Sequence, residues 1–172
     1  YRLIEENYKD FIRAGAQLSE AEKDQLKAIN SELATLQTSF SQNVLNEVNA
    51  AAVVVDTREE LAGLPDSMID AAAEAAKEAD MEGKYLVALL NTSQQPPLAS
   101  LENRALRQRI MEASLARGSH GGEFDNRENL TKVVKLRAER AQLMGYPNHA
   151  AYSLENQTAR TTAAVNERLA SL

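Results

Sequence analysis

Apolar residues fall into blocks whose period changes along the chain. In the first block Leu3, Ile4, Tyr8, Phe11 and Ile12 recur at helical spacing until "RAGAQ" interrupts them. Ser19 then offers an N-cap, and Glu22 three residues later completes a capping box. From there Leu26, Ile29, Leu33, Leu36, Phe40, Val44 and Val48 step by three or four. That spacing predicts one apolar stripe along a helix of roughly thirty residues, about 45 Å at ~1.5 Å per residue. A helix of this kind forms the spine of a bundle. The loose heptad and the frequent Asn and Ala argue against a free coiled coil.

The period then shortens. "AAVVVDT" is β-branched and brief, which predicts a strand near 52–56. Thr57 with Glu60 forms a second capping box, opening a short helix over "REELAGL". "DSMIDAAAEAAKEAD" is rich in Ala and predicts a helix. "MEGKYLVALLN" reads as a second strand near 84–91, able to pair with the first as a small ribbon around the intervening helices. In "NTSQQPP" the proline pair ends regular structure. A helix from about Leu98 to Arg117 follows, stopped by Gly118. Asp125 with Glu128 is a third capping box, and Leu130, Val133, Val134, Ala138, Ala141 and Met144 are expected to form the inward stripe of the next helix. Gly145 sits where a left-handed C-terminal cap belongs, Pro147 suits the first turn of the following helix, and a last helix starts at Thr161 or Thr162. No internal repeat is present. The fold class predicted is mainly α, a multi-helix bundle with a long amphipathic helix and a small two-stranded β-ribbon. It is read as a single helical domain over residues 1–172.

Composition narrows the chemistry. The 172 residues are 44% hydrophobic and 26% charged, with a net charge of -6 and both signs interleaved. That balance fits a folded chain and lacks the basic stripe nucleic acid requires. With no cysteine, disulfides and thiolate metal sites are excluded. The longest apolar runs, "AAVVV" and "YLVALL", are far too short to span a bilayer, and no signal-peptide pattern appears. The opening "YRLIEENYKDF" has no Met and begins as though inside a helix, so the polypeptide is expected to be a piece of a longer protein.

One stretch is specific. "FDNRENLTKVVKLRAERAQLMGYPNHAAYSLENQTARTTAAV" places a helix with "LRAERAQLMG" before an aromatic-Pro-Asn-His turn and "AAYSLENQTA". It resembles the thimet-oligopeptidase-like zinc metallopeptidases, and within them the bacterial peptidyl-dipeptidases, also called dipeptidyl carboxypeptidases. "FIRAGAQLSEAEKDQLKAINSELATLQTSF", "EELAGLP" and "YLVALLNTSQQPPLASLENRALRQRIMEAS" extend the resemblance over essentially the whole chain. The resemblance implies a nearly all-helical, cytoplasmic enzyme of two lobes, with zinc on the wall of a deep channel, that removes C-terminal dipeptides from short peptides. It also implies H-E-x-x-H on one helix, with a downstream Glu as third ligand and the motif Glu activating water. This sequence has no such motif. Its only histidines, His120 and His149, lie 29 positions apart. "SHGGE" is not a helix, since two glycines follow the His, and "NHAAY" has no carboxylate at the required spacing. The expectation is a non-catalytic segment with no catalytic and no metal-binding residues of its own, no assignable substrate-binding residue, and zinc only in the parent enzyme.

The remaining candidates each have a plainer reading. His149 would be a zinc ligand or proton shuttle, or else a polar residue in the first turn of a helix that bonds nearby backbone; the second is preferred, because ligands must cluster. His120, in a glycine-rich loop, is read as solvated and mobile. Arg104, Arg107 and Arg109 would bind a peptide carboxylate, pair with Glu102 and Glu112 on the helix surface, or dock onto another lobe. The amides of "NTSQQPP" would line a channel or merely end a strand. Asp66, Asp70, Glu74, Glu78 and Asp80 recur at about four residues, the pattern of a wet helix face rather than a calcium loop. In a protein of bacterial type, the patterns Asn91-Thr92-Ser93, Asn129-Leu130-Thr131 and Asn156-Gln157-Thr158 are chance glycosylation matches.

The partners expected are the catalytic lobe of the parent enzyme and, through it, short peptides. No nucleic acid or membrane is expected as a partner. Apolar surface left without that lobe predicts self-association. The alternative is a free-standing helical interaction module that offers the Leu26–Val48 stripe to a partner.

Overall fold

The computed structural model describes residues 1–90 and 94–172, the side chain of Asn49 excepted. Its described elements are α1 (Arg2–Arg13), α2 (Glu20–Ala50), β1 (Val53–Val55), a 3-10 turn at Glu59–Leu61, α3 (Asp66–Glu78), β2 (Tyr85–Val87), α4 (Pro97–Ser100), α5 (Arg104–Leu115), α6 (Arg127–Leu143), α7 (His149–Leu154) and α8 (Thr162–Ala170). The architecture is mainly helical with one two-stranded antiparallel sheet, as the periodicity predicts. No described helix is long and apolar enough to cross a membrane.

The described chain forms two compact units: Tyr1–Thr38 with Asn129–Leu172, and Ser39–Glu128. In the first, Ile29 and Leu33 of α2 are buried with Val133 of α6, and Leu36, Leu136 and Leu143 pack around them. The capping box that opens α2 forms as read: Ser19 N–H donates to Glu22 Oε2 at 2.8 Å, and Glu22 N–H donates to Ser19 Oγ at 3.4 Å. The end of α6 is also as read. Gly145, at φ 79°, places its N–H on Gln142 O at 2.9 Å and the Tyr146 N–H on Ala141 O at 2.8 Å. That is the paired bonding of a Schellman cap.

Two details of this unit differ from expectation. The inward stripe of α6 is Val133, Leu136, Ala141 and Leu143, whereas Leu130, Val134 and Ala138 face solvent. The row centred on Val133 meets α2, and the row of 130, 134 and 138 lies beside it on the helix surface. Pro147 stands two residues before α7. The N-cap is Asn148, whose side chain accepts the Ala151 N–H at 2.9 Å.

The second unit is organised by the ribbon. Val53 pairs with Val87, Val54 with Leu86 and Val55 with Tyr85. Val53, Val55 and Val87 turn into a core completed by Leu61, Leu89, Leu106 and Ile110. Burying each such side chain contributes about 1.5–3 kcal/mol. The buried face of α3 is Ile69, Ala72 and Ala76, small enough to let the helix lie close to β2. The strands are shorter than read, and "REELAGL" yields one 3-10 turn, with Glu60 Oε1 accepting the Thr57 N–H at 3.3 Å.

The helix expected from Leu98 to Arg117 is broken at Leu101–Asn103, and the break has a cause. Leu101 leaves the helix at φ −56°, ψ 129° to bury its side chain. The Glu102 N–H then donates to Ala62 O at 2.9 Å, and Asn103 caps α5 by accepting the Leu106 N–H at 3.1 Å. The crossing requires Gly63. Its φ is +93°, and a Cβ there would stand 2.1 Å from Ser100 O. Gly63→Ala should therefore lower unfolding stability in urea by about 2 kcal/mol or more, through strain and backbone displacement together. Gly83→Ala, at a similar φ of +87° with nothing within 4 Å, should cost only about 1 kcal/mol. Equal losses at the two positions would show that the close approach at Gly63 does not matter.

Candidate functional site

The residues that drew attention as candidate chemistry are separated by the fold and given other partners. Arg107 Nη1 donates to the carbonyls of Leu101 at 2.5 Å and Glu102 at 2.9 Å, which the break before α5 leaves open. Arg109 Nη2 donates to Val54 O on the outer side of β1 at 2.7 Å. Arg104 is exposed. The ion pairs expected with Glu102 and Glu112 do not describe Arg107 and Arg109, and Glu112 instead accepts from Gln108 at 2.8 Å. The reason is that an unpaired carbonyl costs more than a surface ion pair returns.

The amides after β2 are used in the same way. Gln95 is buried; its Oε1 accepts the Leu90 N–H at 2.9 Å while its Nε2 donates to Leu90 O at 3.1 Å and to Ser114 Oγ at 3.1 Å. The side chain stands in for a strand neighbour. The expectation about Asn91, Thr92 and Ser93 lies outside the described residues. The acidic residues of α3 form a wet face as read: Arg58 contacts Asp66 at 2.6 Å and Asp70 at 3.9 Å, and Lys77 contacts Glu74 at 3.6 Å.

His120 lies in an exposed loop as read, its side chain 43% exposed, but its Nδ1 lies 2.6 Å from Oε1 of Glu47, whose side chain is only 8% exposed, so the imidazole is anchored as well as solvated. Oε2 of Glu47 accepts the Gly118 N–H at 2.9 Å. Buried Asn126 closes the same loop, donating to Phe40 O at 3.0 Å and accepting from Asn43 at 3.1 Å. Glu47 was not foreseen. It falls one residue before Val48 of the predicted apolar stripe, and the only available signal was a carboxylate on that flank of α2. Asp125 accepts from the Gly121 N–H at 2.8 Å and the Arg127 N–H at 2.9 Å, and the Arg127 guanidinium holds its carboxyl far below the ordinary range. It thus acts on the start of α6 through Arg127.

His149 is the first residue of α7, in the first helical turn as expected, but it bonds no backbone. Its Nε2 lies 3.3 Å from Ser153 Oγ, and its Nδ1 is buried with no hydrogen-bond partner. Around it Arg13 donates to Tyr152 O at 2.8 Å and to Glu155 at 2.9 Å, and stacks 4.3 Å above the Tyr152 ring. Tyr146 meets Tyr152 edge to face at 5.2 Å and donates its hydroxyl to Glu155. That bond, aided by Arg13, holds the Glu155 carboxyl below its ordinary value. The group is a clasp between α1 and α7 built from one salt bridge and stacked rings.

Neither histidine fits a zinc ion. Among the described residues no group of three or more His, Asp or Glu is gathered as a metal site requires. Nδ1 of His120 is bonded to Glu47 but no third donor is gathered beside the pair among the described residues, and His149 sits beside the cations Arg137 and Arg140, which oppose a metal.

With this geometry in view, the kinship of the chain is plain. Residues 97–172 match the family model described as "Peptidase family M3". The chain is 39% identical to a dipeptidyl carboxypeptidase of Escherichia coli over 95% of its own length. It is 32% identical to a probable cytosolic oligopeptidase A of Arabidopsis thaliana over 92%, and 27% identical to saccharolysin of Saccharomyces cerevisiae over 96%. It spans 24%, 23% and 22% of those three proteins respectively, about a quarter of each. The chain belongs to peptidase family M3.

Burial, with the charges of Arg137 and Arg140, lowers the His149 imidazole from its ordinary value of 6.5. The unfolded chain therefore takes up this proton before the folded chain does. Stability is full at neutral pH and declines as the pH falls below about 6.5 toward the lowered folded value. In urea titrations at about pH 7.5 and pH 5.5, His149→Gln should lose less stability on acidification than the parent chain. An identical loss in both would contradict the assignment.

Proposed function

We propose that this chain is a non-catalytic helical segment of a zinc-dependent peptidyl-dipeptidase, a cytoplasmic enzyme that removes C-terminal dipeptides from short peptides. In that reading the segment forms part of a channel wall, and the attack of zinc-activated water on the penultimate peptide bond belongs to residues outside these 172. The observation that carries it is the 39% identity to a dipeptidyl carboxypeptidase across 95% of the chain. The lack of H-E-x-x-H in the sequence supports the non-catalytic part.

A free-standing interaction module is the second reading, and one observation weighs against it. Ile29 and Leu33, the middle of the stripe such a module would present, are already buried against Val133. The test is a chimera in which this chain replaces the aligned stretch of the E. coli dipeptidyl carboxypeptidase. The chimera should release dipeptides from a short peptide within about tenfold of the parent kcat/KM, and the 172-residue chain alone should release none. A folded chimera without activity would favour the module; turnover by the isolated chain would refute the non-catalytic assignment.

A further inference from the structure

α1 is amphipathic, and it is turned the unexpected way round. Leu3, Ile4, Tyr8 and Phe11 share one side of the helix and are 76%, 72%, 59% and 67% exposed. No residue of α1 is buried. The opposite side carries Arg2, Glu6, Lys9 and Arg13. That charged side faces the rest of its unit: Arg13 reaches Tyr152 and Glu155, and Arg2, Glu6 and Lys9 line a polar cleft of about 510 Å³ with residues 155–158 and Arg160. A helix held by its polar face leaves its apolar face for something else, since an ordered aromatic-aliphatic row in water marks an interface.

We propose that this outward face of α1 is a seam that receives an amphipathic helix from the other three-quarters of a peptidase family M3 polypeptide. The inference rests on the reading given under Proposed function and adds the place of contact and the chemistry of what covers it. Two observations choose this occupant over a second copy of the chain. The exposed apolar row is four side chains, few beside the roughly 20–30 residues and ~800 Å² per partner of a stable dimer. A segment of the same polypeptide needs less area, because tethering replaces a bimolecular step. The relatives also carry further polypeptide from which it can come, since the chain spans only 24% of the E. coli dipeptidyl carboxypeptidase.

The chain contains no cysteine, so a single thiol reports cleanly on the seam. Phe11→Cys would be placed in the 172-residue chain and in the chimera described above, the latter in a background whose other cysteines are replaced by serine. A polar thiol reagent should label the isolated chain quickly at every protein concentration and the folded chimera at least tenfold more slowly. Ile4→Cys should behave alike, so that one poorly tolerated substitution does not decide the matter. Asp24→Cys, on an exposed part of α2, should label equally fast in both proteins. Rapid labelling at positions 4 and 11 in a folded chimera would overturn the seam. So would protection in the isolated chain that grows with concentration, which would assign the face to a second copy. A chimera that cannot fold would overturn the family-segment reading itself and the seam with it.

Discussion

Short strands and broken helices leave backbone groups without partners, and this fold depends on supplying them from side chains. A buried carbonyl or N–H left unpaired costs on the order of 1–3 kcal/mol, comparable to a fully buried leucine. The chain has a three-residue β1, a three-residue β2 and a break between α4 and α5, so such groups are numerous. Arg109 serves β1, Gln95 and Arg117 serve Leu90, Arg107 serves the break, Glu47 serves Gly118 and Arg13 serves Tyr152. Arg107, Arg109 and Gln95 are among the residues that suggest chemistry in the sequence, and their employment on backbone groups explains why they do not assemble into a site.

Legibility followed the range of the interaction. Signals contained within a turn or two were readable: the Ser19–Glu22 box, the left-handed Gly145, the Thr161 cap of α8 and the two β-branched runs all appear where the residues indicate. Asn103 was a readable cap that went unused, because the run from Leu98 to Arg117 keeps helical spacing across the break. What breaks it is Gly63, distant in sequence and pressed against Ser100. The inward row of α6 was misassigned for a similar reason. Leu130 and Val134 are as apolar as Val133, and only the position of Ile29 and Leu33 selects between the rows.

The polar network was the least legible part. Glu47 and His120 are separated by 73 positions, and no local pattern links them. The same holds for Arg13 and Glu155, which are 142 positions apart. The glycine-rich loop is exposed as it reads, but its anchor lies on another element and leaves no local trace. By contrast, the absence of H-E-x-x-H is a property of the sequence alone, and it separates this segment from the chemistry its family implies. Membership of peptidase family M3 and the lack of a gathered donor set among the described residues are compatible because the chain spans about a quarter of its relatives.

The account therefore turns on donor atoms. With no H-E-x-x-H and only two histidines, 29 positions apart, the purified chain lacks the donor set a hydrolytic ion needs. Equilibrium dialysis against micromolar zinc followed by elemental analysis reads this directly. The prediction is far less than one zinc per chain, unchanged by His120→Ala or His149→Ala. One zinc per chain, lost when either histidine is replaced, would contradict it.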